Sequence, residues 1–247
     1  MRIPRIYIHA PLQIGCEIDL DRESVRHLLQ VLRMKPGASL ILFNGDGRDY
    51  NGQLLECTRK SARVAISDHS DEEPLPVLEI NLGLGLSKGE RMDFAVQKSV
   101  ELGVSCITPL LTEHSAVRLS TERLENRMEH WKRVSLAACE QSGRRRLPRV
   151  SDTLALSKWL SQTEHLDSTA ILLDHRASKT LDQVEFTGST INLLIGPEGG
   201  LSPDEQTQAL AAGFADVRLG PRVMRTETAP LAAISAIQML WGDFREI

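Results

Sequence analysis

The spacing of apolar residues changes character once along the chain. Up to residue 70 or so, short runs at 5–9, 39–44, 52–58 and 62–67 are too brief for helices and are rich in strand formers. Asn44-Gly45-Asp46-Gly47 and Asn51-Gly52 supply turn chemistry around them. One helix interrupts, over residues 24–34, with Val25, Leu28, Leu29 and Leu32 on a single face. Strands with a lone helix predict a small barrel over residues 1–70. Residues 71–76, inside an acidic, proline-bearing stretch that starts at Asp68, read as a linker to a second domain over 77–247.

From Val77 onward strands and helices alternate. Strands are predicted at 77–86, 106–111, 169–173, 191–195 and 216–219, and helices at 90–103 and 120–142, with others between or after the later strands. Such alternation predicts an α/β domain around a mainly parallel sheet. The last helix, residues 229–244, is apolar around much of its circumference. Leu231, Ile234, Ile237 and Leu240 fill a core, and Ala232, Ala233 and Ala236 permit close approach. A helix this apolar is buried in its own domain or against a second subunit.

Two glycine-bearing loops follow late strands. The first, Ile195-Gly196-Pro197-Glu198-Gly199-Gly200-Leu201, runs into a helix signalled by Ser202 at the N-cap, Pro203 at the first position and Glu205 closing a capping box. The second holds Leu219, Gly220, Arg222, Val223, Met224, Arg225 and Thr226. Open parallel sheets bind ligands outside the carboxyl ends of their strands, where both loops fall. Glycine lets the backbone come close to a ligand, although the same sequence also serves as a plain tight turn. Arg218, Arg222 and Arg225 lie within eight residues. Their planar, permanent charges suit phosphate or nucleic-acid contacts, or else ion pairs with Asp216 and Glu227.

The net charge of −4 argues against binding nucleic acid by bulk basicity. It leaves room for local patches, and residues 143–149 carry four arginines, including Arg144, Arg145 and Arg146. That run is either a solvated loop or an RNA-backbone contact. With 247 residues and 41% hydrophobic content the chain holds two ordinary globular domains. Four cysteines without Cys-x-x-Cys spacing or a histidine partner predict no metal site. No signal-like or transmembrane run is present, so a soluble cytoplasmic protein is expected. P-loop and nucleophile-elbow motifs are absent, and the Gly83–Gly89 segment has one residue too many for a dinucleotide fingerprint. The seven histidines are scattered and read as structural or exposed.

The two loops together resemble signature segments of the SPOUT methyltransferases, knotted S-adenosylmethionine enzymes that modify RNA. The resemblance is closer to the ribosomal RNA small-subunit methyltransferase E family. It extends over Met1–Tyr7, His27 with Val31-Leu32-Arg33-Met34 and Gly37, Lys88–Met92, Gln97–Val104 and Ala138–Arg144. It implies a PUA-like β-barrel that holds RNA, followed by a trefoil-knotted, dimerising domain. Arg2, Arg5, Arg26, His27, Arg33 and Lys35 become RNA-contact candidates, with Arg144, Arg145 and Arg146. Leu173, Ile195, Gly196, Glu198, Gly199, Gly200, Leu219, Gly220, Val223, Met224, Arg225 and Thr226 become cofactor contacts. The implied reaction methylates ring nitrogen 3 of a uridine, uridine 1498 of 16S ribosomal RNA, on the small subunit. That nitrogen must lose a proton, and Arg225 or Arg222 suits the developing anion. Glu198 or Glu227 is either a proton acceptor or a structural partner. A noncatalytic RNA-binding assembly factor and a SPOUT enzyme acting elsewhere on RNA are the rival readings.

Overall fold

The structure, a computed structural model, describes residues 3–58, 60–115, 120–163 and 167–245. By contacts the chain divides into two compact units. One runs to Leu75 and includes Cys139–Leu147; the other comprises Pro76–Ala138 and Pro148 onward.

The first unit is a curled five-stranded sheet of β1 (Arg5–Tyr7), β2 (Glu17–Asp19), β3 (Ser39–Phe43), β4 (Tyr50–Cys57) and β5 (Ala62–His69). Their order is β1-β3-β4-β5-β2; only β1 and β3 pair in parallel. Along β4 the alternation is direct: Tyr50, Gly52 and Leu54 face inward, Asn51 and Gln53 outward. Leu28, Leu40, Leu42, Leu54 and Val64 are completely buried in this core. The edge strand β2 has one apolar residue between two acids, so no alternation reveals it in the sequence.

The expected helix over 24–34 is a shorter object. Asp21 accepts a hydrogen bond from the Ser24 amide at 2.7 Å, so α1 begins earlier, as Arg22–Arg26. It then widens into a π-type turn over His27–Val31, in which the Leu32 amide reaches back to the His27 carbonyl. Arg33 at φ 50° ends it.

Two charged stretches expected to be separate features bind each other. The Arg145 and Arg146 amides both donate to Glu73, at 3.0 and 2.9 Å, and the Arg146 guanidinium pairs with Glu72. The Arg145 guanidinium donates to the Asp71 carbonyl at 2.8 Å. Acid and base complement each other across some seventy residues of chain, so the acidic segment packs back within its own unit.

The second unit is built on a wholly parallel sheet. Its strands are β6 (Glu79–Gly85), β7 (Cys106–Leu111), β8 (Arg149–Val150), β9 (Leu154–Ala155), β10 (Thr169–Leu173), β11 (Thr190–Ile195) and β12 (Ala215–Val217). The order is β12-β10-β11-β6-β7-β8, with β9 also on β7. The central strands β6, β7 and β11 are near-continuous apolar runs because both their faces are covered. The helices are α2 (Glu90–Glu101), α3 (Thr121–Ser142), α4 (Leu156–Thr163), α5 (Pro203–Ala211) and α6 (Thr228–Trp241). α2 packs on α6, and α4 on α5. No described helix is long and apolar enough to cross a membrane.

Candidate active site

The carboxyl ends of β10 and β11 and the loop that leads from β12 into α6 meet around a cavity of about 240 Å³. Each contributes a different chemistry. Leu173, Leu219, Val223 and Met224 supply apolar wall. The turn after β11 supplies Ile195, Gly196, Glu198, Gly199 and Gly200, and Arg222 and Thr226 complete the side toward α6. Gly220 and Arg225 belong to the same loop but do not line the cavity.

The turn after β11 is held from three directions. The Gly200 amide closes it onto the Pro197 carbonyl at 2.9 Å. At its far end the capping box forms as the sequence predicted: Ser202 Oγ accepts from the Glu205 amide at 3.3 Å, and Glu205 accepts from the Ser202 amide at 3.0 Å. At its near end the tip of β6 presses against it. A methyl group on Gly85 would lie 2.4 Å from the Pro197 nitrogen and 2.8 Å from the Gly196 carbonyl carbon.

Arg91, on the first turn of α2, ties the two loops together. Its Nη1 donates to Glu198 Oε1 at 3.2 Å, and its Nε lies 3.9 Å from Glu227 Oε2. The Lys88 amide donates to the same Glu198 oxygen at 3.1 Å. Burial alone would raise the Glu198 carboxyl. Its own amide, the Lys88 amide and Arg91 outweigh that and hold it below the usual carboxylate range. Glu198 is therefore anionic at neutral pH and engaged as an acceptor. Its folded pKa is depressed, so the Glu198 clamp stabilises the loop above the ordinary value and is lost as pH falls through the folded one. A carboxyl-carbon NMR titration is expected to place the Glu198 midpoint below the ordinary glutamate value of about 4.3 and, in Arg91→Ala, to move it back up. A midpoint at or above the ordinary value in the unmodified chain contradicts the clamp.

Glu227 differs. Its Oε2 is shielded from solvent and has no hydrogen-bond partner among the described residues. Arg222 and Arg225 are exposed, and no ion pair to either guanidinium is found among the described residues. The Arg225 carbonyl accepts the Thr228 and Ala229 amides at 2.9 Å, which fixes the backbone beneath that side chain at the start of α6.

Sequence reasoning missed the third wall of the cavity, Asp174-His175-Arg176 after β10. Asp174 Oδ1 accepts the Arg176 amide at 2.9 Å, and the Asp174 amide donates to Val217 of β12. No glycine marks this turn. It also missed Arg91, whose sequence neighbours give no hint of its partners.

The RNA-contact candidates separate into two groups. Arg26 on α1, His27 on the π-type turn, and Arg33 and Lys35 in the loop that follows are all exposed. Arg5 is engaged within its own unit: its guanidinium pairs with Asp49 at 2.6 Å, donates to the Cys139 and Arg144 carbonyls, and lies 4.4 Å from the Phe43 ring centroid. Its side chain is only 5% exposed, because it ties together three segments of its own unit. Arg145 and Arg146 are engaged by Asp71, Glu72 and Glu73. Arg2 lies outside the described residues. Among the described residues no three histidine, cysteine, aspartate or glutamate side chains cluster as a metal site.

Comparison with known proteins gives this arrangement a class. Residues 73–238 match the model of an RNA methyltransferase domain, and residues 20–67 that of an RNA methyltransferase PUA domain. Fold and site thus define a two-part RNA methyltransferase architecture. A ribosomal RNA small subunit methyltransferase E from Buchnera aphidicola is 35% identical over 98% of each chain. The crystal structure of the Neisseria gonorrhoeae protein of that name, bound to S-adenosylmethionine, superposes with a TM-score of 0.90 at 37% identity, over 98% of this chain and 100% of that one. A Legionella pneumophila structure in complex with the same cofactor gives 0.94 at 36% identity, over 99% and 100%. The chain belongs to the ribosomal RNA small subunit methyltransferase E family.

Proposed function

We propose that this chain uses S-adenosylmethionine to methylate ring nitrogen 3 of a uridine in 16S ribosomal RNA, at the position corresponding to uridine 1498, within the small ribosomal subunit of the cytoplasm. The observation that carries the proposal is the meeting of three strand-end loops around one cavity with Arg222 and Arg225 beside it, neither ion-paired among the described residues. The cofactor supplies an electrophilic methyl group at a sulfonium centre and leaves as the neutral thioether.

The cavity fits that group. Leu173, Leu219, Val223 and Met224 suit an apolar nucleoside face, and the exposed backbone of residues 196–200 suits its polar edge. The Asp174 carboxylate suits a cationic ligand. Positioning is the main task, because transfer between two held partners gains most from alignment.

The uridine nitrogen carries an imide proton and becomes nucleophilic only as that proton leaves. Negative charge then spreads onto the two flanking carbonyl oxygens. Arg225 and Arg222, with no carboxylate partner among the described residues, are suited to stabilise it. Arginine cannot take the proton. Of the two glutamates, Glu198 is occupied by Arg91 and the Lys88 amide, whereas Glu227 Oε2, 3.9 Å from Arg91 Nε, has no hydrogen-bond partner among the described residues, which favours Glu227 as the acceptor.

The target atom lies on the pairing edge of its base, so the uridine must be unpaired or flipped out. The exposed cations Arg26, His27, Arg33 and Lys35 of the first unit suit the RNA backbone. Two copies are expected to associate through apolar residues left exposed on the second unit, Phe94 on α2 and Met239 on α6. The test is transfer of labelled methyl to small subunits from a strain lacking this modification. Label in one 16S uridine is expected; no transfer to subunits despite cofactor binding would refute the substrate assignment.

A further inference from the structure

Gly199 lines the cavity, yet its carbonyl points to a histidine that no motif singled out. His114 lies in the turn after β7, residues 112–115, where Thr112 and Ser115 close a side-chain hydrogen bond at 2.9 Å. Its Nδ1 stands 3.2 Å from the Gly199 carbonyl oxygen. A carbonyl only accepts, so Nδ1 carries the proton and donates. The contact is steric as well: a methyl group on Gly199 would sit 2.9 Å from the His114 Cβ. One residue earlier, the Glu113 amide donates to Glu205 Oε1 at 2.8 Å. The other oxygen of Glu205 is the one that caps α5 through Ser202. The 112–115 turn therefore grips the glycine loop at two points, its middle and its helical end.

We propose that His114 is a positioning residue for the cofactor, holding the Gly199 peptide so that the loop keeps its binding shape before the cofactor arrives. This rests on the reading of the cavity as the S-adenosylmethionine site. A loop of small residues has many conformations to lose on binding, and fixing it beforehand removes that cost from the affinity. The Gly200 amide of that same peptide already bonds the Pro197 carbonyl at 2.9 Å, so His114 adds a second hold at the carbonyl end, from outside the loop. The His114 side chain is exposed, so replacing it leaves the core of the domain intact.

The test is calorimetric titration of S-adenosylmethionine into the full-length chain and two variants, with methyl transfer measured in parallel. H114A is expected to bind about tenfold more weakly, the size of one lost hydrogen bond with its contact. H114N puts an amide N–H close to the position of Nδ1–H, so it should recover binding to within about threefold and turnover with it. Equal affinity in H114A and the unmodified chain overturns the inference. So does failure of H114N to rescue, and so does an H114N that binds normally but does not turn over, which would assign proton transfer to the imidazole. If the unmodified chain itself does not bind the cofactor, the reading of the cavity fails instead.

Discussion

Gly85→Ala is expected to weaken cofactor binding roughly five- to 150-fold while the protein stays folded. Gly85 ends β6 next to Leu110 of β7, and its α-carbon is the surface on which the Gly196–Pro197 peptide rests. The added methyl group would lie 2.4 and 2.5 Å from the Pro197 nitrogen and Cδ. The nitrogen is backbone and Cδ belongs to the ring closed onto it, so neither can rotate away as a long side chain would. The loop must move, and with it Glu198, Gly199 and one wall of the cavity. Overpacking of a tight site costs about 1–3 kcal/mol, which corresponds to an affinity loss of roughly five- to 150-fold. Titration of S-adenosylmethionine, with circular dichroism as the check on folding, reads this directly. Undiminished affinity in Gly85→Ala would mean that the loop does not need the position seen here.

Arg225→Ala is expected to separate binding from chemistry. The guanidinium is exposed, does not line the cavity and has no ion pair among the described residues, so its loss should leave cofactor affinity within about threefold. Its carbonyl, which holds the start of α6, is retained by alanine. Loss of one donor to a developing oxyanion typically costs about 10²–10³ in turnover. A drop of that size is expected in kcat with small subunits as substrate. Arg225→Lys should recover only part of it, because an ammonium keeps the charge but not the planar fork. Full turnover in Arg225→Ala would remove this residue from the reaction and leave Arg222, which does line the cavity, as the remaining candidate.

The parts of this site that were legible in the sequence are those written in consecutive residues. The capping box of Ser202 and Glu205 spans one helical turn, and its two hydrogen bonds form as the pattern predicts. The buried parallel strands are legible for a similar reason: β6, β7 and β11 are continuous apolar runs bounded by turn residues. What was hidden depends on partners far apart in the chain. Arg91 and Glu198 are 107 residues apart, and an arginine one turn into a helix looks like any solvated charge. Arg145 and Arg146 looked like an RNA patch because their partners, Asp71, Glu72 and Glu73, looked like a linker. Arg5 was read as an RNA-contact candidate, with nothing in its neighbours to show that segments far along the chain converge on it. The Asp174–Arg176 turn lacks glycine and so lacked a signal. Even the knot implied by family resemblance has no counterpart in apolar spacing, since periodicity encodes faces and not threading.

The charge distribution within the site follows the same logic. Arg91 and Glu198 neutralise each other at the junction of the two loops, while Arg222 and Arg225 have no ion pair among the described residues. A chain with a net charge of −4 can therefore meet an RNA target through local fields and not through overall basicity.

The most direct test of the central claim is the identity of the methylated atom. Small subunits lacking the modification would be incubated with the protein and S-adenosylmethionine, and the 16S RNA digested to nucleosides and analysed by mass spectrometry against standards. A single new product, 3-methyluridine, mapping to the position corresponding to uridine 1498, is the predicted result. Methylation of a ribose hydroxyl or of another base would contradict it.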